Sequence, residues 1–222
     1  MFFDKIYHQN ENLLIVKKNG KYGFINMEDV IISTPKYDLI YNFEDGFAKV
    51  YLCGKCGIVN KKGKVVCDTI YDYVSNFKNG YAIVALNEKY GFINSRGEAI
   101  CDIKYKIVSH FVEGRAIVES DDKISKNKFG FINDEGKEIC KLKYQRVHDF
   151  KDGCALVHLN GKMAIIDIYG NEICKNVYTD IARLENGLFA IMENQCYGCM
   201  DKNGELVLPI VYDSITEMKQ QL

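Results

Sequence analysis

Hydrophobic and polar positions follow one short pattern that recurs along the whole chain. Segments such as the one containing Ala82 and Val84 are apolar at every second position, which predicts a β-strand with one buried face. The following segment is apolar at consecutive positions, as in Gly91-Phe92-Ile93, which predicts a strand buried on both faces. No segment shows the periodicity of an amphipathic helix. The pattern therefore predicts an all-β protein.

A row of tyrosines marks the repeat most clearly. The spacings between its members are 34, 34, 39, 34 and 34 residues, and the members are Tyr37, Tyr71, Tyr105, Tyr144, Tyr178 and Tyr212. A fixed period of this kind is typical of tandem repeats, in which each unit buries its apolar face against its neighbours. We expect one repeat domain over 1–222, with units 3–36, 37–70, 71–104, 105–143, 144–177 and 178–211 and an extra end strand over 212–218.

Two recurrent glycine positions have different expected roles. In turns such as Asn60-Lys61-Lys62-Gly63, the Asn bonds its own backbone and the Gly adopts the left-handed conformation, which predicts a hairpin with a bulge. The glycine inside the doubly buried strand, for example Gly57, is unfavourable in a strand. Its recurrence indicates that another backbone or an aromatic ring approaches closely.

The segment Gly20-Lys21-Tyr22-Gly23-Phe24-Ile25-Asn26, together with the Tyr-Asp pairs and a Phe-x-x-Gly-x-Ala pattern, resembles the bacterial WG (KWG) repeat family. The resemblance covers residues 3–218. It implies a bacterial β-repeat protein with an interaction role and no reaction. The chain departs from the family in having no Trp. The residues at the Trp position are Tyr22, Cys56, Tyr90, Phe129, Met163 and Tyr197.

The two ends of the chain favour an open array over a ring. The Tyr-Asp segment occurs seven times, counting Phe3-Asp4 and the segment from Tyr212, whereas the other strand types occur six times. A closed ring leaves the seventh copy redundant, and the period is shorter than the ~40–45 residues of a four-stranded propeller blade. We therefore expect an open twisted, superhelical β-array. The alternative is a closed six-bladed β-propeller-like ring.

Composition excludes several classes of partner. The chain has 29 basic and 30 acidic side chains, so no overall field favours nucleic acid or anionic lipid. No apolar run approaches the length of a membrane span, and the N-terminal residues do not form a signal-peptide pattern. With nine cysteines and no export signal, we expect reduced thiols in a cytoplasm. We expect no cofactor.

Two features are candidates for partner binding. A row of lysines recurs in phase at Lys21, Lys55, Lys89, Lys128 and Lys162, and such a row is able to bind an acidic partner, although a solvated position beside a turn also explains it. The fourth unit carries five extra residues within Glu119–Asn127, including Asp121, Asp122 and Lys123. Insertions in repeat proteins often lie on the binding face, and tolerated drift is the alternative.

The remaining candidates are better explained as structure. The tyrosine row and the Ile/Val row (Ile32, Val66, Ile100, Ile139, Ile173 and Val207) are expected to be buried, and the lysine row exposed. The pairs Cys53–Cys56 and Cys196–Cys199 fall at different phases, so they do not form one zinc site. The in-phase row Cys67, Cys101, Cys140 and Cys174 fits small core positions better than a soft-metal site. The four histidines share no phase.

These observations favour a non-enzymatic protein-interaction module over an enzyme. The alternative is a small-ligand or glycan binder that uses an aromatic residue exposed in a concavity. The sequence contains no recognisable catalytic motif.

Overall fold

The computed structural model describes residues 2–10, 13–121, 128–174 and 177–222. These residues form six small antiparallel sheets, one for each predicted repeat. The chain divides into two compact units, Met1–Lys106 and Ile107–Leu222, and each of them contains three sheets. We call them the N-terminal and C-terminal halves.

The N-terminal half contains sheets 1 to 3. Sheet 1 consists of β1 Lys5–Asn10, β2 Leu13–Lys18, β3 Lys21–Ile25 and β4 Ile31–Tyr37. Sheet 2 consists of β5 Leu39–Ile40, β6 Phe47–Leu52, β7 Lys55–Asn60 and β8 Val65–Tyr71, and sheet 3 of β9 Tyr73–Val74, β10 Tyr81–Leu86 and β11 Lys89–Asn94. In every sheet, consecutive strands are neighbours.

The C-terminal half repeats this order in sheets 4 to 6. Sheet 4 consists of β12 Ile107–Val108, β13 Arg115–Glu119 and β14 Phe129–Asn133, and sheet 5 of β15 Arg146–Val147, β16 Cys154–Leu159 and β17 Lys162–Asp167. Sheet 6 consists of β18 Asp180–Arg183, β19 Phe189–Glu193, β20 Cys196–Met200 and β21 Leu206–Tyr212. A short 3₁₀ helix spans Glu185–Gly187, and α1 spans Ile215–Lys219.

The fourth strand is complete in sheets 1, 2 and 6 and is reduced elsewhere to isolated bridges such as Tyr90↔Tyr105. The reduced segments have residues that are less favourable in strands, Ala99, Glu138 and Glu172, at the position where the complete strands have Ile31, Val65 and Leu206. Both prolines, Pro35 and Pro209, lie in complete fourth strands at a sheet edge, where a missing N–H donor is tolerated.

Neighbouring sheets in each half bury their faces against one another. Along β6, Ala48 and Val50 join the cluster formed with sheet 1, whereas Phe47 and Tyr51 pack against the cluster that reaches sheet 3. Because successive side chains of a strand point to opposite faces, β6 contacts sheet 1 with one face and sheet 3 with the other. Equivalent clusters join sheets 4 and 5 and sheets 5 and 6.

The tyrosine row is buried as predicted at Tyr37, Tyr71, Tyr105 and Tyr144, and it is half-buried at Tyr178 and Tyr212. The four buried rings cannot act as a stacking platform for bases or sugars. The prediction for the Ile/Val row is wrong at Ile32 and Val207, which are exposed, and its other members are half-buried. These residues lie in the outermost segment of each sheet, which explains their partial exposure.

The strand glycine makes the close backbone approach that the sequence predicts. The strand register pairs Tyr22 with Tyr37 and then Phe24 with Ser33, so β4 carries extra residues opposite Gly23. A β-carbon on Gly23 would lie 2.5 Å from the Ser33 carbonyl oxygen. The bulge therefore requires a residue without a side chain at this position.

The predicted end strand over 212–218 is wrong. β21 ends at Tyr212, and the following residues form α1 instead. The Ser214 side chain accepts a hydrogen bond from the Glu217 N–H, and Glu217 Oε2 accepts one from the Asp213 N–H. This helix cap places Met218 in the core beside Ala190 and Cys199, at the phase that Phe occupies in earlier repeats.

Candidate functional site

One position in the repeat, two residues after Phe3 or after a member of the tyrosine row, is occupied by different types of side chain in different repeats. It lies in the first strand of each sheet, which is an edge strand, and its residues are Lys5, Leu39, Tyr73, Ile107, Arg146 and Asp180. All six are exposed. Three of them are charged, so the fold accepts a charge here.

The apolar members of this set are therefore not needed for the fold. Leu39, Tyr73 and Ile107 are 42%, 47% and 48% exposed. Leu39 and Tyr73 belong to successive sheets of the N-terminal half, and Ile107 belongs to the first sheet of the C-terminal half. Exposed apolar residues at positions that also tolerate charge are free to take part in contacts with a partner. Sequence periodicity alone does not reveal them, because the period does not show which positions a neighbouring sheet covers.

A cleft of about 410 Å³ lies between sheets 2 and 3 in the N-terminal half. Tyr41 and Lys49 form the wall from sheet 2, and the segment after β9 contributes Asn76 and Phe77. The rings of Phe47 and Phe77 approach to 4.4 Å between centroids, which joins the two sheets at an apolar contact inside the cleft lining.

The polar groups of this cleft fall into two classes. Ser75 is buried and serves the backbone, because its Oγ accepts the Ile83 N–H at 2.9 Å and donates to the Asn76 carbonyl at 2.8 Å. Asn76 Nδ2 donates to Glu44 Oε2, and both side chains line the cleft. Lys49 Nζ lies 5.8 Å from the centroid of the half-exposed Tyr41 ring.

The wall behind Tyr41 shows how the chain replaces the family Trp. Cys56 stands at the Trp position of this repeat and is fully buried. Tyr51, paired with Cys56 across the strands, packs there, and its ring centroid lies 5.7 Å from that of Tyr41. Burial and the hydrogen bond with Cys56 raise the pKa of Tyr51 to about 12. The tyrosine therefore remains neutral, and it packs against the cluster that contains Cys56.

A second, smaller cleft of about 190 Å³ lies between sheets 1 and 2. Its lining includes Tyr7, Tyr22 and Leu39, and the Tyr7 and Tyr22 rings lie 6.2 Å apart. Tyr7 precedes Tyr41 by 34 residues and holds the same place in its repeat. Tyrosines at this phase are thus confined to the first two repeats.

The lysine row is partly engaged within the sheets. Lys21 pairs with Asp38, and Lys55 pairs with Asp72. The other oxygen of each Asp accepts a hairpin-turn N–H, from Cys53 and Asn87 respectively, each at 2.7 Å. The lysine and these N–H groups together lower the pKa of both carboxyls. The Tyr-Asp pair of the repeat therefore has a structural purpose.

Exposure of the lysine row differs from the prediction. Lys21 is exposed, whereas Lys55, Lys89, Lys128 and Lys162 are half-buried. Partner binding by this row remains a prediction. In the insertion, Asp121 is half-buried, and Asp122 and Lys123 lie outside the described residues.

All nine cysteines lie within the described residues and are free thiols. Burial raises the pKa of Cys67 to about 12 and also raises the pKa values of Cys101, Cys140 and Cys174. These thiols are therefore protonated and suited to core positions. In the described part of the chain, no group of three or more His, Cys, Asp or Glu is placed to hold a metal ion.

Two histidines that share no sequence phase meet in sheet 5. The Nε2 atoms of His148 and His158 lie 3.3 Å apart. Burial lowers the pKa of both rings, and nearby Arg146 lowers them further. No sequence pattern indicates this pair, because the contact depends on the pairing of β15 with β16.

The family model described as "WG containing repeat" matches residues 3–22, 22–56, 57–90, 90–123, 129–162 and 197–221. These matches cover most of the chain, and every match after the first begins in the third strand of a sheet, so the family unit is offset from the sheets described above. No curated protein sequence matches the chain significantly. The described residues include no helix with the length and apolar character required to cross a bilayer.

Solved structures show only distant similarity. Hsv2p of Kluyveromyces lactis is 11% identical, with 89% of this chain and 75% of that chain covered and a TM-score of 0.38. PorZ of Porphyromonas gingivalis is 9% identical, with 95% and 33% covered and a TM-score of 0.31. A protein of unknown function from Bacteroides caccae is 12% identical, with 90% and 93% covered and a TM-score of 0.28. We draw no functional conclusion from similarities this distant.

Proposed function

The chain belongs to the WG-containing repeat family, and we propose that it is a non-catalytic module that binds another protein. The observation that carries this proposal is the exposure of Leu39, Tyr73 and Ile107 at a position where other repeats have Lys, Arg or Asp. An apolar side chain exposed without a structural need is available for a partner to cover, and apolar residues form the core of protein interfaces.

The location of these residues supports the proposal. Leu39 and Tyr73 each belong to a two-residue edge strand, whose short length limits pairing with the edge of another chain. Contact through side chains is therefore favoured over addition of a strand. The free cysteines support a reducing compartment such as a cytoplasm as the place of action.

The test uses residues that other repeats already place at this position. We would prepare Leu39→Lys, Tyr73→Arg and Ile107→Asp together and compare the variant with the wild type in chemical crosslinking and affinity capture from the source cells. The melting temperatures should be similar, because the fold accepts these charges elsewhere. A protein captured by the wild type should be lost from the variant.

A matched control separates the surface from general changes in charge. Lys5→Leu, Arg146→Leu and Asp180→Leu change the same phase in the other three repeats. This control should retain the partner. Equal capture by the first variant and the wild type would refute the proposal that these exposed apolar residues contact a partner.

A further inference from the structure

We propose that the cleft between sheets 2 and 3 binds a neutral saccharide, with Tyr41 as the stacking surface and Asn76 and Glu44 as hydrogen-bonding groups. The proposal goes beyond the protein-binding function, because the cleft residues differ from Leu39, Tyr73 and Ile107 and the ligand is a small molecule. It rests on the shape, polarity and charge of this cleft.

Tyr41 is not required by the repeat. The residues at the same place in sheets 3 to 6 are Ser75, Ser109, His148 and Ala182. The Ser75 and Ser109 hydroxyls complete the local hydrogen bonding by accepting the N–H groups of Ile83 and Ile117. The tyrosine here is instead a residue that is 49% exposed and lines the cleft. Aromatic rings offer an apolar face to the C–H groups of a sugar, and a half-exposed tyrosine leaves part of its side chain available for this contact.

The polar lining suits adjacent hydroxyl groups. The Asn76 amide and the Glu44 carboxylate are joined by a hydrogen bond from Nδ2 to Oε2. This bond leaves the Asn76 Oδ1 and the second Glu44 oxygen as acceptors and the second Nδ2 hydrogen as a donor. Two planar groups held side by side thus offer both donor and acceptor capacity, which a sugar's vicinal hydroxyls can use in pairs.

The charges of the lining favour a neutral ligand. The lining contains one acidic side chain, Glu44, and one basic side chain, Lys49. An anionic ligand would meet the carboxylate and a cationic ligand would meet the ammonium group, so neither sign is attracted overall. A neutral polyhydroxylated ligand avoids this conflict.

The size and the remaining lining agree with this class of ligand. A volume of about 410 Å³ lies within the range of small-molecule sites, roughly 300–1,000 Å³, and is sufficient for a disaccharide. Phe47, Phe77 and Ile58 supply the apolar part of the lining, next to the polar groups. This mixture is typical of ligand pockets, in which a few polar groups orient a molecule over apolar surface.

The test is saturation-transfer difference NMR of the full chain with maltose, cellobiose and N,N′-diacetylchitobiose. We expect saturation transfer to at least one disaccharide, and titration should give a dissociation constant that rises at least tenfold in both Tyr41→Ser and Asn76→Ala. Tyr41→Ser introduces the residue that sheet 3 uses, so folding should be preserved. Asn76→Ala tests the site through a different group.

Tyr73→Ser is the matched control, because Tyr73 is equally exposed but does not line the cleft. It should leave saccharide binding unchanged. The triple variant Leu39→Lys/Tyr73→Arg/Ile107→Asp should also bind saccharide as the wild type does, so failure of one proposal can be distinguished from failure of the other. The proposal is overturned if none of the three disaccharides receives saturation from the wild type. It is also overturned if either cleft variant, shown to be folded by circular dichroism, binds as the wild type does.

Discussion

Gly97 faces the carbonyl oxygen of Val66 so closely that a β-carbon on Gly97 would lie 1.8 Å from that oxygen. Gly97 ends the turn that follows β11 in sheet 3, and Val66 belongs to β8 of sheet 2. Corresponding contacts join Gly170 to the Ile139 carbonyl and Gly204 to the Ile173 carbonyl. The turn glycine is therefore a contact between successive repeats as well as a residue with positive φ.

This contact predicts a large difference between two otherwise similar substitutions. Gly97 and Gly80 have φ values of +84° and +85°, but a β-carbon on Gly80 would meet nothing within 4 Å. Gly80→Ala should lower the free energy of unfolding by about 1–2 kcal/mol, the cost of the left-handed conformation. Gly97→Ala should lower it by about 3 kcal/mol or more, because backbone must also move.

Urea denaturation of both variants measures the two values. Gly80→Ala is the control for the backbone conformation, so the difference between the variants isolates the contact with Val66. Equal destabilisation would contradict a role for this glycine in joining the repeats.

The pair of Lys21 and Asp38 predicts unequal effects of removing its two members. Lys21→Met removes only an exposed ion pair, which contributes little to stability. Asp38→Ala also leaves the Cys53 N–H without its acceptor, so its melting temperature should fall further.

The effect of pH supplies the check on this assignment. Because the pKa of Asp38 is lowered in the folded protein, its contribution is present above the unfolded-state pKa and is lost as the pH falls through the folded-state value. The difference in melting temperature between wild type and Asp38→Ala should therefore shrink in acid. A difference that is constant between pH 7 and pH 2 would show that the carboxylate is not the stabilising group.

The His148–His158 pair predicts a separate loss of stability in mild acid. Both pKa values are lowered in the folded protein, so the unfolded chain binds more protons below its pKa of about 6.5. Stability should be complete above that pH and decrease as the pH falls toward the folded-state values. The charged residues that act on the pair are Arg146 and Arg183, which oppose protonation, and Asp149 and Asp180, which favour it.

Thermal denaturation at pH 7.5 and 5.5 tests this prediction. The double variant His148→Ser/His158→Ala carries residues found at the same phases in sheet 3, Ser75 and Ala85. It should lose less stability than the wild type between these two pH values. The same loss in both proteins would assign the acid sensitivity to other groups.

The periodic residues of this fold could be predicted from the sequence, and those that depart from the period could not. The buried tyrosines and the turn and strand glycines each perform the same task in several repeats, so recurrence reveals the task. Tyr41 and Leu39 do not recur as such, and their exposure depends on which face of each strand the neighbouring sheet covers.

Two further differences have local physical causes. The short helix α1 was missed because its signal is a single Ser214-x-x-Glu217 cap without any helical periodicity. The exposure of Ile32 and Val207 was missed because these residues lie in outer edge strands, and an apolar residue in a strand does not identify the covered face. The repeat pattern thus predicts the strands and turns of a unit, but not which of its apolar residues are exposed to solvent.

The last prediction concerns the end of the chain, where Met218 is fully buried against Ala190 and Cys199 of sheet 6. Removal of residues 213–222 deletes α1 and takes Met218 out of this cluster. In an array in which each repeat contacts only its neighbours, the damage should remain local. Amide hydrogen exchange should show protection lost in sheet 6, from Asp180 to Tyr212, while sheets 1 to 3 keep theirs.

Met218→Leu in the full chain is the matched control, because it keeps an apolar side chain of similar volume in the same place and should preserve protection throughout. The two architectures expected from the sequence differ in the outcome of the truncation. In an open array, exchange increases only next to the deleted helix. In a closed ring held by its last segment, loss of that segment releases the closure, so exchange would increase in sheet 1 as well as in sheet 6. Increased exchange in sheet 1 of the truncated protein would therefore contradict the open array and favour the ring.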